Sequence, residues 1–533
     1  MSGYILRLDD VHTDIAQYRI LHGISLNVPE GGVYVLLGRN GAGKTTTLRT
    51  IMGLWRARSG AVVFRHHDIT GLHTSDIARL GIAFVPENMG IFGGLTVEEN
   101  MRLATAAGKF DEARLQRIFA LFPAMETFWT KPAWALSGGQ KQMLAISRAI
   151  VERRDLILID EPTKGLAPVI IRAMIDAFRE IAAETTILLV EQNFLFARSL
   201  GSTVRRRRHR QRPHRSPRPD GRSRRRQGAA DTAPQSVSRR APVRGPGMSA
   251  AALFNRLGGV NILPLVLMVV AIPLIGDVST WVTLTVAGLA MGMMVFLMAS
   301  GLSLVFGLMD VLNFGHSAFI SFGAFIAASV LAALAGWLGA DSASLNYLAL
   351  FAAIAAAGMF GLAGGMFFER VIVRPVYHDH LRQILITIGA LIVSEQLLLA
   401  IWGGSPVAVA RPAVLEGSII LGHVAIEVYR IFAFLLGLAV FVALYLTLNR
   451  TRIGLLIRAG VENREMVEAL GFRVDRLFLG VFMVGSALAA VGGAMWAGYQ
   501  GLISATLGGE MMILVFIVVI IGGLGPIEGS LLG

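Results

Sequence analysis

Gly38-Arg39-Asn40-Gly41-Ala42-Gly43-Lys44-Thr45 has the spacing G-x-x-x-x-G-K-[ST], a pattern that holds phosphate. Its glycines let backbone N–H groups turn inward on an anion. Lys44 can reach the β- and γ-phosphates, and the Thr45 hydroxyl can take a Mg²⁺ position. Gly38, Asn40, Gly41, Gly43, Lys44, Thr45 and Thr46 therefore form the candidate nucleotide cradle. Downstream, Asp160-Glu161 closes an apolar run at 156–159. Asp160 suits the Mg²⁺ shell and Glu161 suits polarising an attacking water. Between them, Leu136-Ser137-Gly138-Gly139-Gln140 opens a helix expected over 140–151. It is a second helix N-terminus able to face phosphate. One ATP does not need two such loops from one subunit, so Ser137, Gly138, Gly139 and Gln140 are expected to close over the nucleotide of a partner.

These groups need a frame. The apolar strand 33–37 must lead into the phosphate loop, and a helix over 45–52 must lead out. Residues 1–204 alternate strand-like and helix-like runs, which predicts an α/β domain on a parallel sheet. Residues 205–247 contain fifteen Arg and two Asp, with no Lys, Glu, Leu, Ile, Phe, Met, Tyr or Trp. Such a segment cannot form a core. It carries the whole net charge of +13, so the total does not imply a basic nucleic-acid-binding domain. The absence of cysteine excludes disulfides, thiol catalysis, iron–sulfur clusters and Cys-ligated zinc.

Residues 248–533 place much of the chain in lipid. The chain is 54% hydrophobic and only 16% charged, with mean hydropathy +0.60, whereas soluble proteins carry nearer a quarter charged residues. Stretches at 257–276, 278–309, 311–340, 342–368, 383–402, 431–448, 477–509 and 511–527 suit a bilayer, which takes roughly 20 residues to cross, so about eight helices are expected. The loops 369–382 and 449–476 are Arg-rich and 403–430 is not, which puts the first two inside. Glu395 lies within a span, where a charge needs a cavity or partner. Asn313 and His316 lie near a helix break and are candidates to line a solute path, although a structural hydrogen bond suits His316 equally well. The glycines Gly358, Gly361, Gly364, Gly365, Gly492 and Gly493 predict close helix packing.

On these motifs residues 1–204 resemble the ATPases of ABC transporters. The resemblance implies an α/β P-loop ABC ATPase, with ATP and Mg²⁺ as cofactors and two ATPases sandwiching two ATPs head to tail. It also implies that Tyr18 stacks on adenine. Two positions depart from the general pattern. Glu87 follows Val85-Pro86 where Gln is usual, beside the metal, and Gln192 stands where a switch His is usual. Gln can donate to a γ-phosphate but cannot carry a proton charge. Both departures resemble the ATPase subunits of branched-chain amino acid importers, as does Gly165-Leu166-Ala167-Pro168. Residues 301–323 (GLSLVFGLMDVLNFGHSAFISFG), with Phe368-Glu369-Arg370, Thr387-Ile388-Gly389 and Thr451-Arg452-Ile453-Gly454, are similar to the permease subunits of the same importers.

The joint resemblance implies ATP-driven import of branched-chain or other hydrophobic amino acids across the bacterial inner membrane, with the ATPase in the cytoplasm. Urea, amides or small aromatic acids are the alternative cargo. Expected partners are a second ATPase and a second permease half (the same chain or different ones), a periplasmic substrate-binding protein, the lipid bilayer and a small-molecule substrate. No specific nucleic acid is expected. In such permeases a short helix within 449–476 docks on the ATPase, and Met466, Ala469 and Leu470 provide an apolar stripe for it. A half-size exporter would place its membrane helices first and extend them far into the cytoplasm. An ATPase tethered to nucleic acid by the Arg-rich run would need aromatics to stack on bases, and that run has none. The abrupt change after Val204, with Arg but no Lys, reads as a GC-rich frame-shifted segment over 205–247. It would leave the ATPase short of its C-terminal elements, and the permease is expected to be cut short near Gly533.

Overall fold

A computed structural model of the protein describes residues 3–200, 268–309, 313–377, 379–522 and 531. The Arg-rich segment 205–247 and most of the first expected span, 257–276, lie outside the described residues.

The ATPase is built on two sheets. In the first, β1 (Tyr4–Ile15) and β2 (Tyr18–Pro29) pair antiparallel, and β1 also pairs with β4 (Ala57–Phe64), which carries β5 (His67–Asp68) at its edge. In the second, β3 (Val33–Leu37), β8 (Thr186–Glu191), β7 (Leu156–Asp160) and β6 (Ile82–Val85) lie parallel in that order. Every residue of β6, β7 and β8 is buried, which explains why they read as continuous apolar runs rather than alternating ones. Helix α1 (Lys44–Ile51) follows β3, and α2 (Thr74–Arg79) precedes β6. Helices α3 (Val97–Leu103) and α4 (Gly138–Ile150) each begin with a reciprocal cap, Thr96 with Glu99 and Ser137 with Gln140. Such a cap satisfies two otherwise orphaned N–H groups. Helix α5 (Pro168–Ile181) returns the chain from β7 to β8.

Among the described residues, six helices are long and apolar enough to cross a membrane, not about eight. They begin with α6 (Val278–Met309), α7 (His316–Ala333), α8 (Ala343–Phe368) and α9 (His380–Trp402). Helix α10 (Val428–Arg450) follows, then the short α11 (Arg452–Glu462) and α12 (Arg464–Ala469), then the sixth span, α13 (Val474–Gln500). The expected span 477–509 ends early because Gly501 turns into the left-handed region at φ 75°. The last expected span becomes α14 (Leu507–Gly522), only 16 residues within the described part.

The glycines do pack helices. A Cβ on Gly361 would lie 2.6 Å from Ala487 Cα, and one on Gly493 would overlap the Ile320 carbonyl oxygen. Each replaces side-chain bulk by backbone contact between spans. Outside the spans, β9 (Val407–Ala408) pairs with β12 (Leu502–Ile503), and β10 (Ser418–Leu421) pairs with β11 (Val424–Glu427). At the other end of the bundle, Arg374 ion-pairs with Asp475 at 3.7 Å. The two Arg-rich loops therefore share one end, as their charge predicts.

Candidate functional site

The phosphate loop is a strand-to-helix turn with Gly41 at φ 78° and Gly43 at φ 77°, a region costly for residues with a Cβ. A Cβ on Gly43 would also meet Leu21 at 2.9 Å, so β2 lies against the loop. Tyr18 and Ile20 share one face of β2 by the period of two, and Tyr18 is 65% exposed, as a platform for a planar base requires. Lys44 is buried. Its Nζ donates to the Arg39 carbonyl at 3.1 Å and lies 3.5 Å from Glu161 Oε1. Thr46 is buried and Asn40 is exposed.

One cleft is lined by Thr45, Arg49, Phe84, Pro86, Glu87, Asn88 and Asp160. It brings together the three residues expected at the cation, Thr45, Asp160 and Glu87. Asp160 is 1% exposed, and neither of its carboxylate oxygens accepts a well-formed hydrogen bond among the described residues, although the Thr45 hydroxyl lies beside it. Burial pushes its carboxyl up to about 6, aided by the negative charges of Glu161 and Glu87 and opposed by the Thr45 hydroxyl and Lys44. A buried, unpaired carboxylate is costly, and a divalent cation supplies what it lacks. No group of three or more His, Cys, Asp or Glu able to hold a metal occurs among the described residues. The two carboxylates of the cleft, Asp160 and Glu87, suit Mg²⁺, which takes one or two carboxylates and completes its shell with phosphate and water.

Glu161 sits at φ 45°, and its N–H donates to the Val190 carbonyl at 2.9 Å. Its Oε1 accepts from Gln192 Nε2, so the two expected catalytic residues are in contact. Glu87 is held by Lys164. The sequence does not single out Glu191. It is buried and accepts from Thr163 N (3.2 Å), Thr163 Oγ1 (2.6 Å), Gln192 N (2.9 Å) and Asn193 N (3.1 Å). It fixes the turns after β7 and β8 against one another and so positions Gln192. Ser137 Oγ accepts from Gln140 N at 3.4 Å, and Gln140 Oε1 accepts from Ser137 N at 2.9 Å. Neither side chain hydrogen-bonds to the phosphate loop of its own chain among the described residues. Gly139 packs so closely on Ile170 that a Cβ would overlap its side chain, while Gly138 faces open space.

The membrane region docks through α11 and α12. Arg452 donates to the carbonyls of Thr105 (2.6 Å) and Ala106, Arg458 pairs with Glu99 at 2.7 Å, and Arg473 pairs with Asp76 at 2.6 Å. Glu462 accepts from the N–H groups of Gly93 and Gly94, and Glu465 pairs with Arg49 at 2.5 Å. Met466, Val467 and Ala469 are buried in one cluster with Ile77, Phe92 and Leu95, while Leu470 is partly buried beside it. Met466 Sδ would lie 2.7 Å from a Cβ on Gly90. The loop that carries Glu87 into the cleft therefore continues, at Gly90–Gly94, onto the membrane region. Arg49, likewise unremarkable in the sequence, joins the helix behind the phosphate loop to α12.

Within the spans, His316 is fully buried with Nε2 3.1 Å from the Met298 carbonyl oxygen, the structural role weighed for it. Glu395 is half-buried, with Oε1 3.2 Å from where a Cβ on Gly509 would lie. Asn313 is fully buried without a partner.

Residues 21–164 match the family described as "ABC transporter", and residues 284–533 match "Branched-chain amino acid transport system / permease component". The high-affinity branched-chain amino acid transport ATP-binding protein BraG of Pseudomonas aeruginosa is 38% identical over 192 residues, which cover 36% of this chain and 82% of BraG. The probable branched-chain amino acid transport ATP-binding protein LivF of Archaeoglobus fulgidus is 33% identical over 193 residues, with coverage of 36% and 82%. A solved structure of an ATP-binding subunit of an ABC transporter is 30% identical over 36% of this chain and 81% of that one, with TM-score 0.33.

Proposed function

We propose that this chain, which belongs to the ABC transporter family and joins its ATPase to its permease, imports branched-chain or other hydrophobic amino acids. The ATPase domain binds and hydrolyses ATP with Mg²⁺ on the cytoplasmic side, and the polytopic permease domain lies in the bacterial inner membrane. The substrate class is carried over from the names of the relatives. One observation supports the link between hydrolysis and transport: the loop from Glu87 to Gly94 lines the cation cleft at one end and touches Glu462 and Met466 at the other.

In this reading the N–H groups from Gly38 to Thr46 and the Lys44 ammonium hold the phosphates, and Tyr18 supports adenine. Thr45 and Asp160, with Glu87 beside them, would hold Mg²⁺, which would offset phosphate charge. Lys44 and Gln192 leave Glu161 for the nucleotide, and Glu161 then orients the water. Ser137–Gln140 serves the nucleotide of a second ATPase. Closure draws on Glu87 and Arg49 and so moves α11 and α12. The complete transporter has two ATPase and two permease halves, of the same or different chains, and receives cargo from a periplasmic binding protein. The domain limits are 1–204 and 248–533, with 205–247 a frame-shifted read. The test is ATP-dependent uptake by the reconstituted complex, with labelled leucine, isoleucine, urea and benzoate compared. Saturable uptake of the branched amino acids is expected, and uptake of urea or benzoate alone would move the cargo to that class.

A further inference from the structure

Two carboxamides inside the membrane region have no hydrogen-bond partner among the described residues. Asn313 is 0% exposed and Gln383 1% exposed, and no side-chain nitrogen or oxygen of either has a partner among the described residues. Buried amides are ordinarily satisfied, and Asn346 in the same bundle is: it donates to three carbonyls and accepts from Val414 N at 3.1 Å.

The two orphans flank one contact between the start of α7 and α9. Phe314 N, next to Asn313, donates to Thr387 Oγ1 at 3.3 Å. Gln383 lies one turn before Thr387, on the same face of α9. Only Gln383, Thr387 and Leu398 are fully buried on that helix. The paired polar face of α9 therefore looks onto the turn at 313–316 where α7 begins, about 10 Å into the span from its ATPase end at 1.5 Å per residue. That turn is held close to α8 as well: Gly315 packs so tightly on Phe368 that a Cβ would overlap the ring.

We propose that Asn313 and Gln383 hold the head group of a hydrophobic amino acid on its way through the permease, an inference that rests on the substrate reading above. Two amides offer N–H donors and C=O acceptors but no charge. A ligand with net charge would lose its hydration there without compensation. A zwitterion offers one group for each half of that inventory, since its carboxylate only accepts and its ammonium only donates, so each ionised end gains hydrogen bonds in place of its hydration. The surroundings suit an aliphatic side chain. Phe314 packs on Phe516 at 5.1 Å, and Phe319 on Phe368 at 5.6 Å. Urea would use the amides but has no apolar part to set against the rings. Because α7 starts here and α14 starts beside it, with Gly508 N donating to Ser321 Oγ at 2.8 Å, the amides sit at a discontinuity in the spans, where transporters place such sites.

The experiment uses the full chain with its partner subunits in proteoliposomes, supplied with binding protein and labelled leucine. Gln383→Met and Asn313→Leu keep size and remove the polar atoms. Each is expected to raise the KM for leucine at least tenfold, with ATP hydrolysis in the absence of leucine within twofold of wild type. Melting temperatures should be unchanged or higher, because an unsatisfied polar group has been removed. Should either protein fail to reach the membrane, Gln383→Asn and Asn313→Gln shift the amide by one methylene and carry the same expectation. Wild-type KM in these variants, with wild-type uptake intact, overturns the site. Absence of leucine uptake by the wild-type complex, or urea uptake instead, overturns the substrate reading and with it the ligand assigned here.

Discussion

Asn100 in the ATPase and Asn313 in the membrane region are both fully buried, and the protein treats them in opposite ways. Asn100 accepts from Phe92 N at 2.9 Å and donates to the carbonyls of Phe92, Leu95 and Thr96. It stitches the loop that meets the membrane region. The side chain of Asn313 has no partner among the described residues. Each region contains the same contrast. The ATPase satisfies Glu191 with four donors but leaves both oxygens of Asp160 unpaired. The membrane region satisfies Asn346 and leaves Gln383. Orphaned groups cost stability, and on the readings proposed above Asp160, Asn313 and Gln383 are kept for molecules outside the chain. In one region these are the nucleotide and its cation, in the other the solute.

The largest effect that can break this comparison lies at the nucleotide. Lys44→Ala should abolish ATP binding by the assembled complex. Glu161→Gln should keep binding, trap ATP and slow turnover at least 100-fold, about 2.7 kcal/mol of barrier. Filter binding and phosphate release measure the two. Wild-type turnover in Glu161→Gln would remove Glu161 from the water and make its contact with Gln192 merely structural.

A smaller effect tests whether the two regions act as one machine. Val467 N donates to the Asn463 carbonyl at 3.2 Å inside α12. Val467→Pro deletes that bond and costs the short helix about 3 kcal/mol. Leucine uptake should fall more than tenfold, while hydrolysis without leucine keeps at least half its rate. Unchanged uptake would leave the Arg and Glu contacts as an attachment without a role in transport.

How far these groups can be read in advance differs between the regions for a physical reason. The phosphate cradle is consecutive in sequence, so eight residues disclose it. Asp160 and Glu161 follow a buried strand, whose run of apolar residues announces them. Glu191 cannot be read so, since it acts on Thr163 across 28 residues. Nor can the pair of Lys164 with Glu87, separated by 77. In the membrane region composition gives span lengths but not faces, because a helix that is apolar all round has no periodicity to read. Asn313, His316 and Glu395 stand out against apolar neighbours. Gln383 does not, because it sits beside Arg382 and resembles the polar edge of a span. Hydropathy misplaces the limits of the last two helices because it runs through Gly501, which ends α13 by backbone geometry alone.

The smallest effect concerns Asp160 and depends on pH. Its carboxyl titrates near 6 in the fold against 3.8 in the unfolded chain. Between those values the folded protein holds a proton that the unfolded chain has lost, so stability falls as pH rises through this window. The penalty is absent below about pH 4, partial at pH 5 and complete above about pH 6, where it is on the order of 3 kcal/mol. Asp160→Asn removes the ionisation. It should therefore raise the melting temperature of the nucleotide-free protein at pH 7.5 by several degrees, and by less at pH 5. ATP with Mg²⁺ should reverse the order at pH 7.5, because only the wild-type carboxylate gains a cation. An equal gain at both pH values, or stabilisation of Asp160→Asn by Mg²⁺-ATP as large as that of wild type, would mean that this orphaned carboxylate is not kept for a cation, and the contrast with Glu191 would lose its meaning.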